Sequence, residues 1–192
     1  MPELLPPPLE GFTAPTTPVA AGLDLSLTDT GVAVVHDDGS ITTRRVRSAG
    51  KKTDSLATKA RRFDDHASAI CAQVARCTEV VVESPAYGMP QGAVDLGGLR
   101  WLVLTMLVDR GHRVHEINPM HVKKYATGQT RSDKDVVLAA VVKRYPQADV
   151  TNNNTADAVV LAAMLARHLG RPVEDSLSEL RADAMARVAW SS

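Results

Sequence analysis

The sequence has few cysteines, few aromatic residues and no long apolar run, and its formal charges cancel. Its two cysteines, Cys71 and Cys77, match neither the spacing of a zinc site nor a disulfide framework, which indicates a reducing compartment. No apolar segment approaches the roughly 18 uncharged residues of a membrane span, and the N-terminus lacks a signal segment. A net charge of zero argues against binding nucleic acid through charge alone. We therefore expect a globular protein in the cytoplasm.

Proline is unevenly distributed, and this divides the chain. Six of the eleven prolines lie within residues 1–19, so we expect a flexible proline-rich tail that forms neither a helix nor a central strand. Residues 20–170 are long enough for one domain with its own core. In residues 171–192, apolar residues recur at the spacing of one helix face, which predicts an amphipathic helix over 173–190.

The pattern of apolar residues predicts an α/β fold. Three strands joined by tight turns are followed by two strand–helix crossovers, which gives a mixed five-stranded sheet with helices on both faces. Three consecutive valines, residues 80–82, indicate a central parallel strand that ends at Glu83. The expected strands cover about residues 20–28, 31–37, 41–47, 79–83 and 113–117, and the expected helices about residues 54–76, 93–110, 119–126, 132–145, 154–169 and 173–190.

A carboxylate interrupts the first predicted strand. Leu23, Leu25 and Leu27 alternate with polar residues, and Asp24 lies among them. A buried Asp in a strand is costly unless it is paired or binds a cation. The structural alternative is an edge strand whose Asp24 faces water. We place the following tight turn at residues 28–31, with Gly31 free to adopt a positive φ.

Two further acids stand in apolar surroundings. Glu83 closes the valine strand, and Asp157 lies in the first turn of a predicted helix that Asn154 or Thr155 caps. Each acid has a structural explanation, a solvated strand end for Glu83 and the helix dipole for Asp157. However, the strand ends and helix N-termini of a parallel crossover sheet usually surround one crevice. Three carboxylates there, without Cys or His, favour Mg²⁺ or Mn²⁺, and two such ions can clamp a phosphodiester during in-line displacement.

At these residues the chain resembles the RuvC family of Holliday junction resolvases, over about residues 20–168. The matching pieces are residues 22–24 with the Thr30-Gly31 turn, Val82-Glu83, residues 122–124 followed by Gly128, residues 132–134 and residues 156–158. The resemblance implies an RNase H-like fold. It also implies cleavage of four-way DNA junctions by paired nicks from a homodimer, with two Mg²⁺ ions per site, for which Mn²⁺ can substitute.

The resemblance also assigns roles to individual residues. Asp24, Glu83 and Asp157 would be catalytic metal ligands. Lys134 would support catalysis, and it would contact phosphate together with Lys123.

Two positions depart from the family pattern. The family usually has an acidic or His ligand three residues before the last Asp, where this chain has Asn154, which offers an oxygen without charge. We expect Asn154 to bind the second metal more weakly. The family commonly places an aromatic residue shortly after the strand-end Glu, which would fall at Ala86. We expect the neighbouring Tyr87 to stack on DNA bases instead.

A basic segment and an apolar helix complete the prediction. Residues 44–62 carry eight Lys or Arg and one acid, and we expect them to contact phosphate and to make binding fall with salt. The expected DNA-binding residues are Arg44, Lys51, Lys52, Tyr87, Lys123, Lys124 and Lys134. The helix at residues 93–110 is apolar on most sides, and we expect it to form the core of a homodimer, with Gly97 and Gly98 permitting close approach.

Three other functions are compatible with the sequence. An actin-like or sugar-kinase-like ATPase could hold phosphate with the same strand–turn–strand, although such enzymes usually need a second phosphate loop and a longer chain. A nuclease of the same fold could act less strictly, on forks, flaps or ribosomal RNA precursors. A DNA-binding protein without catalysis would result if the loss of a fourth acid had ended cleavage.

Overall fold

The computed structural model describes residues 16–85 and 93–191. Over these residues the strands are β1 (Pro18–Asp24), β2 (Asp29–His36), β3 (Ile41–Arg47), β4 (Glu79–Glu83) and β5 (Arg113–Ile117), and the helices are α1 (Leu56–Gln73), α2 (Ala93–Asp109), α3 (Pro119–Thr127), α4 (Lys134–Arg144), α5 (Asn153–His168) and α6 (Glu179–Ala186). Ala86, Tyr87 and residues 1–15 of the predicted tail lie outside the described residues. β1 already begins at Pro18, within the last residues of the predicted tail. None of the helices in the described ranges is long and apolar enough to cross a membrane.

These five strands form one mixed sheet in the order β3-β2-β1-β4-β5. β2 is antiparallel to β1 and β3, and β4 is parallel to β1 and β5. The predicted α/β fold with a mixed five-stranded sheet is confirmed, and the valine strand β4 is internal and parallel as expected. The basic strand β3 lies at an edge, where its charged side chains stay solvated.

Helices cover both faces of the sheet. α1 and α2 pack on one face, and α5 crosses the other. α5 is buried almost without interruption from Thr155 to Ala166, because α3 and α4 cover its outer side and α6 packs on α3. A helix that is apolar on all sides requires such an enclosed position. α5 is consequently fixed against β1 and β2 by packing from every direction.

Two glycines let α5 approach the sheet. A Cβ atom on Gly31 would overlap the carbonyl group of Asn154, and one on Gly22 would overlap the backbone of α5 at Ala158. Gly31 lies inside β2, opposite Asp24, and its φ is not positive. The turn predicted for Gly31 is therefore wrong. Glycine is needed here because a side chain would leave no room for α5.

Two of the predicted element ends differ from those of the structure. β1 ends at Asp24 and not near residue 28, so Asp24 is a strand-end residue with the turn directly behind it. Helix α1 begins after Ser55, whose side chain accepts a hydrogen bond from the first turn. The predicted cap, Asp54, instead accepts a hydrogen bond from the backbone nitrogen of Lys51 at 2.7 Å.

The C-terminal segment forms a much shorter helix than predicted. α6 covers only Glu179–Ala186, where a helix over residues 173–190 was expected. The segment before it is irregular because the buried carboxylate of Glu174 accepts hydrogen bonds from the hydroxyl groups of Tyr125 and Tyr145. An ion pair between Glu174 and Arg167, at 3.1 Å, completes this cluster. The segment thereby joins α3, α5 and the end of α4.

Candidate active site

Three acidic side chains meet at the end of the sheet where β1 and β4 finish. Asp24 is the last residue of β1 and Glu83 the last of β4, and the parallel pairing of Leu23 with Val82 brings both strand ends to the same edge. Asp157 reaches this edge from α5 and lines, with the other two acids, a cavity of about 220 Å³. The remaining side chains around this cavity are Pro119, Lys123, Lys134, Val137, Asn153 and Asn154. The structure therefore brings the three acids together.

The helix dipole does not explain the position of Asp157. α5 begins at Asn153, and its N-cap is Asn152 in a capping box with Thr155, so neither of the predicted caps is correct. Asp157 is the fifth residue of the helix, beyond the first turn, where the dipole has little effect. An acid at this point of an otherwise buried, apolar helix reduces stability. Its placement indicates a role in chemistry.

The surroundings favour the neutral form of all three acids. Burial, together with the nearby carboxylates of Asp157 and Glu83, raises the pKa of Asp24 to about 8. Burial and the carboxylate of Asp157 raise the pKa of Glu83 to about 7, and burial raises the pKa of Asp157 to about 6. Lys134 and Lys123 oppose these shifts in pKa without cancelling them. A cation bound in the cavity would displace protons, so its affinity should increase with pH.

Two lysines stand beside the acids. Lys123 lies on α3, Lys134 is the first residue of α4, and both line the cavity as expected. The side chain of Lys124 differs from them, because it is only 17% exposed and forms an ion pair with Asp183 of α6. A contact between Lys124 and DNA would have to compete with this ion pair.

The donor atoms around the cavity suit a hard divalent cation. Carboxylate oxygens surround it, no His or Cys is among the described residues that line it, and such oxygen donors fit Mg²⁺ or Mn²⁺. Asn153 adds a buried amide oxygen that accepts no hydrogen bond from the described residues. Within residues 16–85 and 93–191, no three His, Cys, Asp or Glu side chains are already grouped at the spacing of a metal site.

Asn154 is attached to the sheet by hydrogen bonds. Its Nδ2 donates to the backbone oxygen of Asp29 at the start of β2. The side-chain carboxylate of Asp29 accepts a separate hydrogen bond from Asn152 Nδ2 at 3.1 Å and forms an ion pair with Arg45. This network holds the N-terminus of α5 against β2. The sequence analysis missed Asn152, Asp29 and Arg45, although the run of Asn before an apolar helix was an available capping signal.

A buried histidine supports the turn beside Asp24. His66 lies on α1, and its Nε2 donates to the carbonyl oxygen of Ser26 at 3.0 Å. The hydroxyl group of Thr30 donates to the same carbonyl oxygen, also at 3.0 Å. These bonds fix the turn between β1 and β2 and so hold the strand end that carries Asp24. The sequence analysis missed His66, whose only signal was a polar residue at a core position of α1.

The basic residues of the segment 44–62 do not form one continuous surface. Lys51 and Lys52 are exposed in the loop before α1, and this loop borders a groove of about 510 Å³. The charged side chains that line the groove are Arg47, Asp54, Arg61, Arg62 and Asp65. Arg44 lies further along β3, beside the second half of α1, and its guanidinium donates to the carbonyl oxygen of Thr43. Arg44 is therefore separated from the loop that carries Lys51 and Lys52.

Comparison with known proteins identifies relatives of this chain, although no protein-family model matches it. The crossover junction endodeoxyribonuclease RuvC of Erythrobacter litoralis is 30% identical over 151 residues, which span 75% of this chain and 90% of that protein. The protein of the same name from Acidiphilium cryptum is 28% identical over 151 residues, 77% of this chain and 90% of the relative.

Solved structures agree with this similarity at the level of the fold. The structure of Thermus thermophilus RuvC in complex with a Holliday junction substrate superposes with a TM-score of 0.60 at 20% identity, over 79% of this chain and 96% of that one. Another Thermus thermophilus RuvC structure superposes with a TM-score of 0.58 at 22% identity. The predicted RNase H-like fold is thereby confirmed.

Proposed function

The chain belongs to the RuvC family of crossover junction endodeoxyribonucleases, and on that premise we propose that it is a metal-dependent resolvase of four-way DNA junctions. Membership of this family makes it a hydrolase that acts on DNA. The observation that carries the proposal is the convergence of Asp24, Glu83 and Asp157 on one cavity. A relative was solved with a Holliday junction substrate, which supports branched DNA as the substrate of this chain.

In this proposal the three acids hold two divalent cations, Mg²⁺ with Mn²⁺ as a substitute. Such cations, when bound, activate a water molecule and stabilise the leaving 3′ oxygen of the phosphodiester. Lys123 and Lys134 bring positive charge to the oxygens of the phosphate, which offsets the repulsion between the DNA and the carboxylates. His66 and the hydrogen bond from Asn154 to Asp29 keep the strand end and α5 in place, so the acids are positioned before DNA arrives.

We propose that DNA extends from the cavity across the loop between β3 and α1. Gly31 pairs with Asp24 on one side and with Arg45 on the other, so the end of β3 reaches the sheet edge that carries Asp24. Lys51 and Lys52 project from the loop that follows β3. A phosphate backbone bound at the cavity can therefore continue over these lysines.

Replacing both Lys51 and Lys52 by Ala is expected to weaken junction binding. The slope of log K against log salt should become shallower by about 2, because each lost phosphate contact removes about 0.9 from it. Fluorescence anisotropy of a labelled junction at several KCl concentrations gives this slope. Arg44→Ala is the matched control and should leave the slope unchanged. An unchanged slope in the double variant would place the DNA elsewhere.

We propose a homodimer through an exposed apolar stripe of α2. Val94, Trp101 and Val108 are 86%, 67% and 60% exposed. They recur every seven residues, which places them on one helix face. Apart from the adjacent backbone of α2 itself, no described residue has an atom within 4 Å of a Cβ added at Gly97 or Gly98, so the space that a second helix needs is open. A twofold dimer presents two sites to two strands, as paired nicks require.

Trp101→Lys is expected to dissociate this dimer without unfolding the monomer. Placing a charge at the centre of an apolar interface should weaken dimerisation by about 100-fold or more, as for a truncated interface anchor. Sedimentation velocity measures the dimer fraction, and circular dichroism measures the melting temperature. Leu56→Lys is the matched control, because Leu56 is 84% exposed on α1. Loss of the dimer in both variants would argue against the α2 interface.

Membership of the RuvC family argues against the alternative of an ATPase. The three acids around the cavity argue against a DNA-binding protein that has lost catalysis. A less strict branched-DNA nuclease is the second candidate, because Ala86 stands where the family commonly has an aromatic residue. Cleavage of four-way, fork and flap substrates under the same conditions tests the proposed function and separates the two candidates.

A further inference from the structure

We propose that Asn153, and not Asn154, supplies the additional oxygen donor to the cations of the active site. The inference rests on the proposed function, because it concerns the same cations that Asp24, Glu83 and Asp157 would hold. It replaces the assignment of Asn154 that follows from the family pattern alone.

The first support is the position of Asn153 on α5. Asn153 is the first residue of the helix and Asp157 the fifth. Residues four apart lie one above the other on the same helix face. Both side chains line the cavity that Asp24 and Glu83 also line. Asn153 therefore belongs to the same group of oxygen donors as the three acids.

The second support is the state of the Asn153 side chain. Its Oδ1 is buried, and no described residue donates a hydrogen bond to it. Buried acceptors in proteins are nearly always paired with a donor or with an ion. An unpaired amide oxygen has no hydrogen bond to break when a cation binds, so Asn153 can become a ligand without that loss of free energy.

The third support is the different commitment of Asn154. Its Nδ2 donates to the backbone oxygen of Asp29, and its own carbonyl group packs directly against Gly31. Asn154 thus belongs to the contacts that attach α5 to β2. Removing its side chain should loosen this attachment without removing the proposed oxygen donor, Asn153.

A Mn²⁺ titration of the full-length, metal-free protein distinguishes the two asparagines. The electron paramagnetic resonance signal of free aqueous Mn²⁺ reports binding without any need for cleavage. Asn153→Ala should weaken Mn²⁺ binding by about tenfold or more, the lower range for losing part of a metal's coordination environment. Asn153→Asp should strengthen binding, because it adds a charged ligand at the same place. Asn154→Ala should lower the melting temperature and weaken Mn²⁺ binding less than Asn153→Ala does.

The opposite pattern would overturn the inference, namely weaker Mn²⁺ binding in Asn154→Ala and wild-type binding in both variants of Asn153. Asp24→Asn separates this failure from a failure of the proposed function. If wild type binds Mn²⁺ and Asp24→Asn does not, the metal site stands, and the asparagine variants alone decide the inference. If wild type binds no Mn²⁺, the inference and the metal-dependent function both fail.

Discussion

Asp24→Asn is expected to lower the rate of junction cleavage by at least about a thousandfold, or about 4 kcal/mol in activation free energy. The amide keeps the shape of the side chain, but it removes a negative charge and therefore a strong ligand from the cavity. Junction binding should stay near that of wild type, because the proposed DNA contacts come from lysines and the loop after β3. Single-turnover cleavage and anisotropy on one preparation measure both quantities. Cleavage at the wild-type rate would remove Asp24 from the site.

The same variant should be more stable than wild type when metal is absent. The pKa of Asp24 is about 8 in the folded protein against an ordinary value of 3.8, so between these pH values the folded protein holds a proton that the unfolded chain has lost. The free energy of unfolding of wild type therefore falls as pH rises through this window. Asn does not titrate, and at pH 8 the variant should gain about 2 kcal/mol or more.

Urea unfolding at pH 5 and pH 8 in the presence of a chelator measures this gain. The difference between variant and wild type should be larger at pH 8 than at pH 5. A variant that is less stable than wild type at pH 8 would contradict the burial of Asp24 among like charges.

Gly31→Ala is expected to reduce the free energy of unfolding by about 3 kcal/mol or more, at the upper end of overpacking effects. The added methyl group would meet the carbonyl group of Asn154, and backbone at the start of a buried helix cannot move aside as a flexible side chain can. A displaced α5 would also carry Asp157 away from Asp24. The variant should consequently lose cleavage activity under conditions in which it remains folded.

Gly39→Ala is the matched control for this prediction. Gly39 has a φ of 79° in the turn between β2 and β3, and nothing lies within 4 Å of an added Cβ. Only the strain of a left-handed conformation should then be felt, about 1 kcal/mol. Urea unfolding of both variants compares the two effects. Equal losses would show that close approach of α5 is not what Gly31 provides.

The larger elements of the fold were predictable because their signals lie within short stretches of the sequence. Three adjacent valines identified the buried parallel strand that ends at Glu83, and tight turns separated the first three strands. The order of strands and helices then permitted few arrangements other than a mixed sheet with crossovers. Asp24, Glu83 and Asp157 stood out for the same reason, because each interrupts an apolar segment.

The parts that could not be predicted depend on contacts between residues distant in sequence. Leu25 and Leu27 continue the alternation of β1, but the hydrogen bonds of Ser26 with His66 and Thr30 end the strand at Asp24. The C-terminal helix is shortened because the carboxylate of Glu174 is buried against Tyr125 and Tyr145, which donate hydrogen bonds to it only in the folded protein. No property of residues 173–190 alone contains that information.

The functional difference between Asn153 and Asn154 has the same origin. In the sequence they are adjacent and chemically identical. Both line the cavity, but the structure separates them because Asp29 of β2 accepts a hydrogen bond from Nδ2 of Asn154, while the buried oxygen of Asn153 accepts none from the described residues. Spacing from the last acid, taken alone, selects Asn154, whereas the ligand that we propose is Asn153.

Strand cleavage of a mobile four-way junction tests the proposed resolvase activity, with fork, flap and linear duplex of matched sequence as controls, in Mg²⁺ and in Mn²⁺. We expect paired, symmetric nicks on the junction, none on the linear duplex, and no cleavage by Asp24→Asn. Equal cutting of forks and flaps would make the protein a general branched-DNA nuclease. The absence of cleavage by wild type in both metals would contradict the account.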